Sequence, residues 1–333
     1  MNNTCHPEEA SPLCGSRRFA PHHDVQRAGR LEGRHVLFTK SYAQKWNYFF
    51  FRSCPPHALA LLRIIFGLFI FFQWLIKTPY ISMMFSNEGL SIPFRTFASP
   101  LLTTLLSPPS SLIAWTLFTL FLITLLLFTI GAGFRTSITL ILLLYAYYHQ
   151  IGLHAFFMTF ERLYVFVFFV LLWSGADQTL SYRSFHKYGS IFAWEPISIF
   201  PQRLLALQIS ATYLGVGWQK LILPAWQGGE ILSYSLVSMW GTRFGHWLAG
   251  LNLPISFYDA ANWLLKFLQF LLPLGLWIPK WQWLFFVGGA IFHVTIAATI
   301  SMWWFLIMVP AYIVFLEPEK VYVFLKNRVT MIP

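Results

Sequence analysis

Six ionisable residues interrupt apolar stretches of this chain: Arg63, Glu161, Arg162, Lys220, Lys266 and His293. A charge held in hydrocarbon costs about 2.5–3.5 kcal/mol on insertion scales, so such side chains normally face a protein interior or a polar cavity. The chemistry open to them is proton transfer and anion stabilisation. An amine stripped of water loses the solvation that favours its ammonium form, which lets a lysine accept a proton. Arginine cannot shuttle a proton but can hold a developing anion. Each residue also has a plainer reading. Arg63 could snorkel to headgroups or pair with a carboxylate, and Lys220 could snorkel. Lys266 could sit in a structural ion pair, and His293 could be a hydrogen-bonded packing residue. Glu161 and Arg162 are adjacent, hence about 100° apart on a helix, and each is expected to seek a different neighbour.

The elements that must position these groups are membrane helices. Of 333 residues, 57% are hydrophobic and 11% charged, against about 45–50% and roughly 25% in a soluble domain. So few charges could not cover so much apolar surface in water. Spanning helices need about 20 mainly apolar residues. Eight stretches qualify: 57–76, 111–130, 136–152, 155–174, 203–223, 258–278, 281–300 and 302–316. The last is short and reads as re-entrant or as fused to the one before. The fold class is therefore all-α, a polytopic bundle of about eight spans. Residues 1–54 read as a disordered basic tail with an interfacial approach segment, 55–318 as the bundle and 319–333 as a short tail.

Charge orients the bundle. Eight basic residues precede the first span: Arg17, Arg18, Arg27, Arg30, Arg34, Lys40, Lys45 and Arg52. With the N-terminus in the cytoplasm, these join Arg135, Arg183, Lys187, Arg203, Lys280, Lys320, Lys326 and Arg328, so that 16 basic residues lie inside. Only Lys77, Arg95 and Arg243 lie outside. This positive-inside bias puts both termini in the cytoplasm and points to anionic lipid rather than nucleic acid. Glu161, Arg162, Lys220 and His293 then fall in the outer half, where they would line one outward-facing cavity if their helices adjoin. The outer loops 77–110 and 224–257 are long enough for interfacial helices. The three cysteines, Cys5, Cys14 and Cys54, precede the first span and read as free thiols. No cleavable signal peptide is visible.

Three stretches resemble the HTTM-domain membrane proteins, relatives of the vitamin K-dependent gamma-carboxylases. They are Leu59 to Gly67 (LALLRIIFG), Gln208 to Leu221 with Tyr213, Gly217 and Lys220 followed by Trp226 to Gly229 (WQGG), and Phe292 and His293 before an apolar run ending FLEP. The resemblance covers roughly residues 55–318. It implies that Lys220 is the base that deprotonates vitamin K hydroquinone or another quinol. The oxygenated quinone then removes a glutamate γ-proton, and the carbanion captures carbon dioxide. It also implies Lys220, His293 and Arg162 as catalytic candidates, and Tyr213, Trp226 and Gly229 as cofactor-binding candidates. Arg162 falls near the position of a supporting histidine, and Gln269 where the family tends to carry a glutamate. The chain also ends about 17 residues after its last span, without the large extramembrane portion that engages protein substrate, which argues against glutamyl carboxylation of a protein.

The partner expected first is the bilayer, in a bacterial-type inner membrane. A second reading is non-enzymatic: a branch of the family assists maturation or export of secreted peptides, which predicts a peptide or protein partner and tolerance of Lys220 substitution. A transporter is a weaker third, since no repeat or filter motif is visible. No phosphate loop, nucleophile elbow or metal-spaced cluster is present. His149 and His154 share a turn without a carboxylate, so no metal is expected.

Overall fold

The computed structural model describes residues 42–93, 99–153 and 160–329. The expectations for Cys5, Cys14, Arg95, His154 and the basic residues up to Lys40 lie outside the described residues. The chain divides into two units, residues 1–49 and 50–333. The described part of the first belongs to helix α1 (Tyr42–Phe51), which has no buried residue.

The second unit begins with β1 (Ser53–Cys54), α2 (His57–Leu75) and the short helices α3 (Ile81–Phe85) and α4 (Pro100–Leu105). Next come α5 (Ser111–Ile130), α6 (Phe134–Ile151), α7 (Glu161–Leu172), α8 (Tyr182–Tyr188), β2 (Ile197–Ser198) and α9 (Phe200–Ile222). A short loop leads to α10 (Glu230–Val237), α11 (Arg243–Gly250), α12 (Ile255–Gly275) and α13 (Gln282–Ile300). The chain closes with α14 (Met308–Ala311), flanked by 3₁₀ turns Trp303–Ile307 and Tyr312–Phe315, and α15 (Pro318–Val329). The strands make one antiparallel pair, Ser53 opposite Ser198 and Cys54 opposite Ile197.

Among the described residues three helices, α2, α5 and α13, are long and apolar enough to cross a membrane. Their outward faces carry exposed Leu112, Leu126 and Ile291, the reverse of the polar face that a water-soluble helix presents. Helices α9 and α12 have 23 and 21 residues but carry polar side chains along one face. Of the expected span 155–174, residues 155–159 lie outside the described residues, and the rest holds a helix of 12 residues from Glu161 to Leu172. The stretch 302–316 is broken into the two 3₁₀ turns and α14, and Pro310 there has no N–H to continue an α-helical ladder.

Side chains and strand pairing define two ends of this unit. At one end Arg52 donates to Glu317 at 2.7 Å and to Glu319, and Arg203 reaches Glu317 at 3.3 Å. The β1–β2 pair lies beside them, and burial pushes the Cys54 thiol up to about 11. At the other end the Asn87 N–H donates to the Pro109 carbonyl, Leu153 to Ile92 and Thr242 to Thr299.

Arg63 is fully buried in α2 and neither snorkels nor meets a carboxylate at ion-pair distance. It donates to the carbonyls of Ala176 at 2.9 Å and Leu180 at 2.5 Å, in the turn between α7 and α8. Gly131 makes room for it. This residue ends α5 in the left-handed region at φ 73°, and a Cβ there would lie 2.7 Å from Arg63 Nη1. Gly67, one turn along α2, lies against α5 so closely that a Cβ would sit 2.2 Å from Thr129 Oγ1, the small-residue packing common between membrane helices.

Candidate active site

The site is built on two facing stripes. On α9, Ser210, Tyr213 and Gly217 are buried and Lys220 half-buried, at i, i+3, i+7 and i+10, a spacing that keeps them on one face. On α12 the polar residues Asp259, Asn262, Lys266 and Gln269 repeat the same spacing. Gly217 lets the helices meet: a Cβ there would lie 3.0 Å from the Phe270 ring and 3.3 Å from Gln269 Cβ. The helices run in opposite directions, since the loop after α9 is tied to the start of α12. Asn262 Nδ2 donates to the carbonyls of Trp226 at 2.9 Å and Gly228 at 2.6 Å. The Gly229 N–H donates to Asp259 Oδ1 at 2.6 Å.

This arrangement puts two lysines within electrostatic reach of each other. Lys220 Nζ lies over the Trp226 ring, 4.2 Å from its centroid, and Lys266 Nζ lies 4.4 Å from that of Trp263. Neither has a carboxylate within ion-pair distance among the described residues. Lys266 is buried, and among the described residues its ammonium has no hydrogen-bond partner and the buried side-chain oxygens of Asn262 and Gln269 have no donor. Pro273, inside α12, has no N–H to return to the Gln269 backbone carbonyl. Buried polar groups are ordinarily satisfied, so donors and acceptors left open together at one helix interface mark a place suited to a polar ligand.

A second cluster lies about two turns back along α9, roughly 10 Å at 1.5 Å per residue. The Tyr213 hydroxyl contacts both His293 Nε2 and the Tyr312 hydroxyl. His293 stacks on Phe305, and its Nδ1 is buried without a partner. Gly289 admits the Tyr312 ring, since a Cβ there would lie 2.6 Å from the Tyr312 hydroxyl.

The predicted residues thus divide. Lys220 and Trp226 touch each other. Tyr213 and His293 are hydrogen-bonded, but away from the lysine. Gly229 is a close-approach residue rather than a ligand seat: its N–H is taken by Asp259, and a Cβ would collide with the α12 backbone at 2.4 Å. Arg162 does not join the site. It is exposed on α7 and acts electrostatically on His149, whereas its neighbour Glu161 turns inward to Lys77 at 3.8 Å. Among the described residues Lys266 makes no ion pair. Sequence reasoning passed over Asn262 and weighed Lys266 against a structural ion pair without placing it beside Lys220, although the polar repeat 259, 262, 266, 269 inside an apolar helix was the available signal. No family model, curated protein or solved structure matches this chain.

Proposed function

We propose that this chain is a multi-pass protein of a bacterial-type inner membrane, of about eight crossings with both termini cytoplasmic, in which Lys220 is the base of a quinone-linked reaction of the HTTM type. The observation that carries this reading is that Lys220 lies on the α9 face that meets the polar stripe of α12, with Lys266 buried in that stripe and no ion pair to either lysine among the described residues.

The residues present fit a hydroquinone. Gln269 Oε1 and Asn262 Oδ1 lack donors, and Lys266 lacks an acceptor, which suits a ligand that offers both a hydroxyl and an oxygen lone pair. Bound there, such a group would supply an acidic hydroxyl and reducing electrons. Lys220 Nζ takes the proton. The face of Trp226 steadies the ammonium so formed. Asn262 and Asp259 keep the Trp226 loop from moving off the amine. The flanking apolar helices exclude water, which strengthens each of these interactions.

The test is turnover of a quinol in air by the protein in lipid nanodiscs. Lys220→Ala is expected to lower the rate about 100-fold or more, the usual contribution of a general base, with helicity and insertion unchanged. An unaltered rate sinks the proposal. Full complementation of a deletion strain by the same variant would favour the peptide-maturation reading instead.

A further inference from the structure

We infer that Lys266, with Gln269, forms an oxyanion seat for an amphiphile whose polar end is a weakly acidic hydroxyl. The inference rests on the reading of Lys220 as proton acceptor and assigns the other half of that transfer. When the ligand O–H bond breaks, the proton and the Lys220 lone pair make the new N–H bond. The bonding pair stays on the ligand oxygen, and no electron moves between molecules. The oxyanion then needs a cation that was not the acceptor, and Lys266 is that cation.

The geometry is specific to this role. An ammonium has three donors and no acceptor capacity, and in Lys266 none of them is used. The nearby acids do not neutralise it: Asp259 receives the Gly229 N–H, and Glu230 is exposed. A Trp263 ring face partly replaces lost hydration but leaves the donors open. Gln269, one turn along the same face, presents an oxygen without a donor. A fully ionised head would serve Lys266 and leave Gln269 bare, and an alcohol would do the opposite. A weak acid serves each in turn, its O–H on Gln269 before transfer and its oxyanion on Lys266 after. The outer faces of the same two helices are apolar, with Trp218, Leu264 and Phe267 exposed, so the ligand body proposed here is apolar.

Isothermal titration of the protein in nanodiscs, with empty nanodiscs as blank, tests this with two probes. Octanesulfonate is always ionised and has no O–H; 4-octylphenol has one. Lys266→Met is expected to weaken octanesulfonate at least tenfold, the loss expected of a charge-assisted hydrogen bond. Gln269→Leu is expected to weaken the phenol several-fold and leave the sulfonate unchanged. Octanesulfonate binding by Lys266→Met at wild-type strength overturns the seat. Should Lys266→Met not fold, Gln269→Leu decides, and equal effects on both probes, or none on either, overturn it. A Lys220→Met variant that keeps turnover, with octanesulfonate binding still dependent on Lys266, overturns only the proton-acceptor reading.

Discussion

Arg63 and Lys266 are both buried cations in apolar helices, with 0% and 1% of their surface exposed. Arg63 spends its terminal nitrogens on the backbone carbonyls of Ala176 and Leu180. Lys266 makes no hydrogen bond among the described residues and has only the face of the Trp263 ring. Burying a charge is costly unless it is paired and hydrogen-bonded. The arginine therefore recovers that cost within the fold, and the lysine does not. One cation is a strut between α2 and the α7–α8 turn. The other is an unfilled valence beside Lys220. Buried charge alone does not separate the two roles; the disposition of the hydrogen-bond donors does.

That contrast can be broken by substitution, beginning with the strut. Arg63→Met leaves two carbonyls facing a thioether and should destabilise the protein by about 3 kcal/mol or more, seen as a lower midpoint in reversible denaturation from mixed micelles. A midpoint within error of wild type would falsify the strut. Gly131→Ala comes next. It places a Cβ at φ 73°, 2.6 Å from Ser181 Cβ and 2.7 Å from the Arg63 guanidinium. A loss of about 2 kcal/mol is expected, much of it disappearing in the Arg63→Met background if the clash with the guanidinium is the cause. The smallest effect belongs to Lys266→Met, which exchanges an unpaired ammonium for an apolar chain of similar length. Stability should stay within about 1 kcal/mol of wild type or rise. A loss as large as that of Arg63→Met would make Lys266 a second strut and remove the distinction.

The helical class and the apolar character were legible in composition, and Lys220 stood out as a candidate only through the family resemblance. What the chain could not show was adjacency. Lys266 gains its meaning only when α9 lies along the face that carries Asn262 and Gln269, and no spacing within α12 announces that neighbour. Glu161 and Arg162 show the same limit. Their helical offset predicts different partners, but whether Lys77 or His149 answers each depends on loops far away in the chain. Gly229 looked like part of a binding motif, whereas its small size serves close approach to α12. The broken segment around Pro310 lay within an apolar run, where hydropathy is blind to a missing N–H.

The ties from Asn262 and Asp259 back to the Trp226–Gly229 loop join positions 30 to 36 residues apart in the chain. During synthesis, Lys220 therefore leaves the ribosome well before the side chains that will enclose it. A nascent chain halted between these positions carries a bare amine and a loose loop. The pairing of the two polar stripes is consequently among the later features to mature, and a chain that ends before α12 lacks one of them.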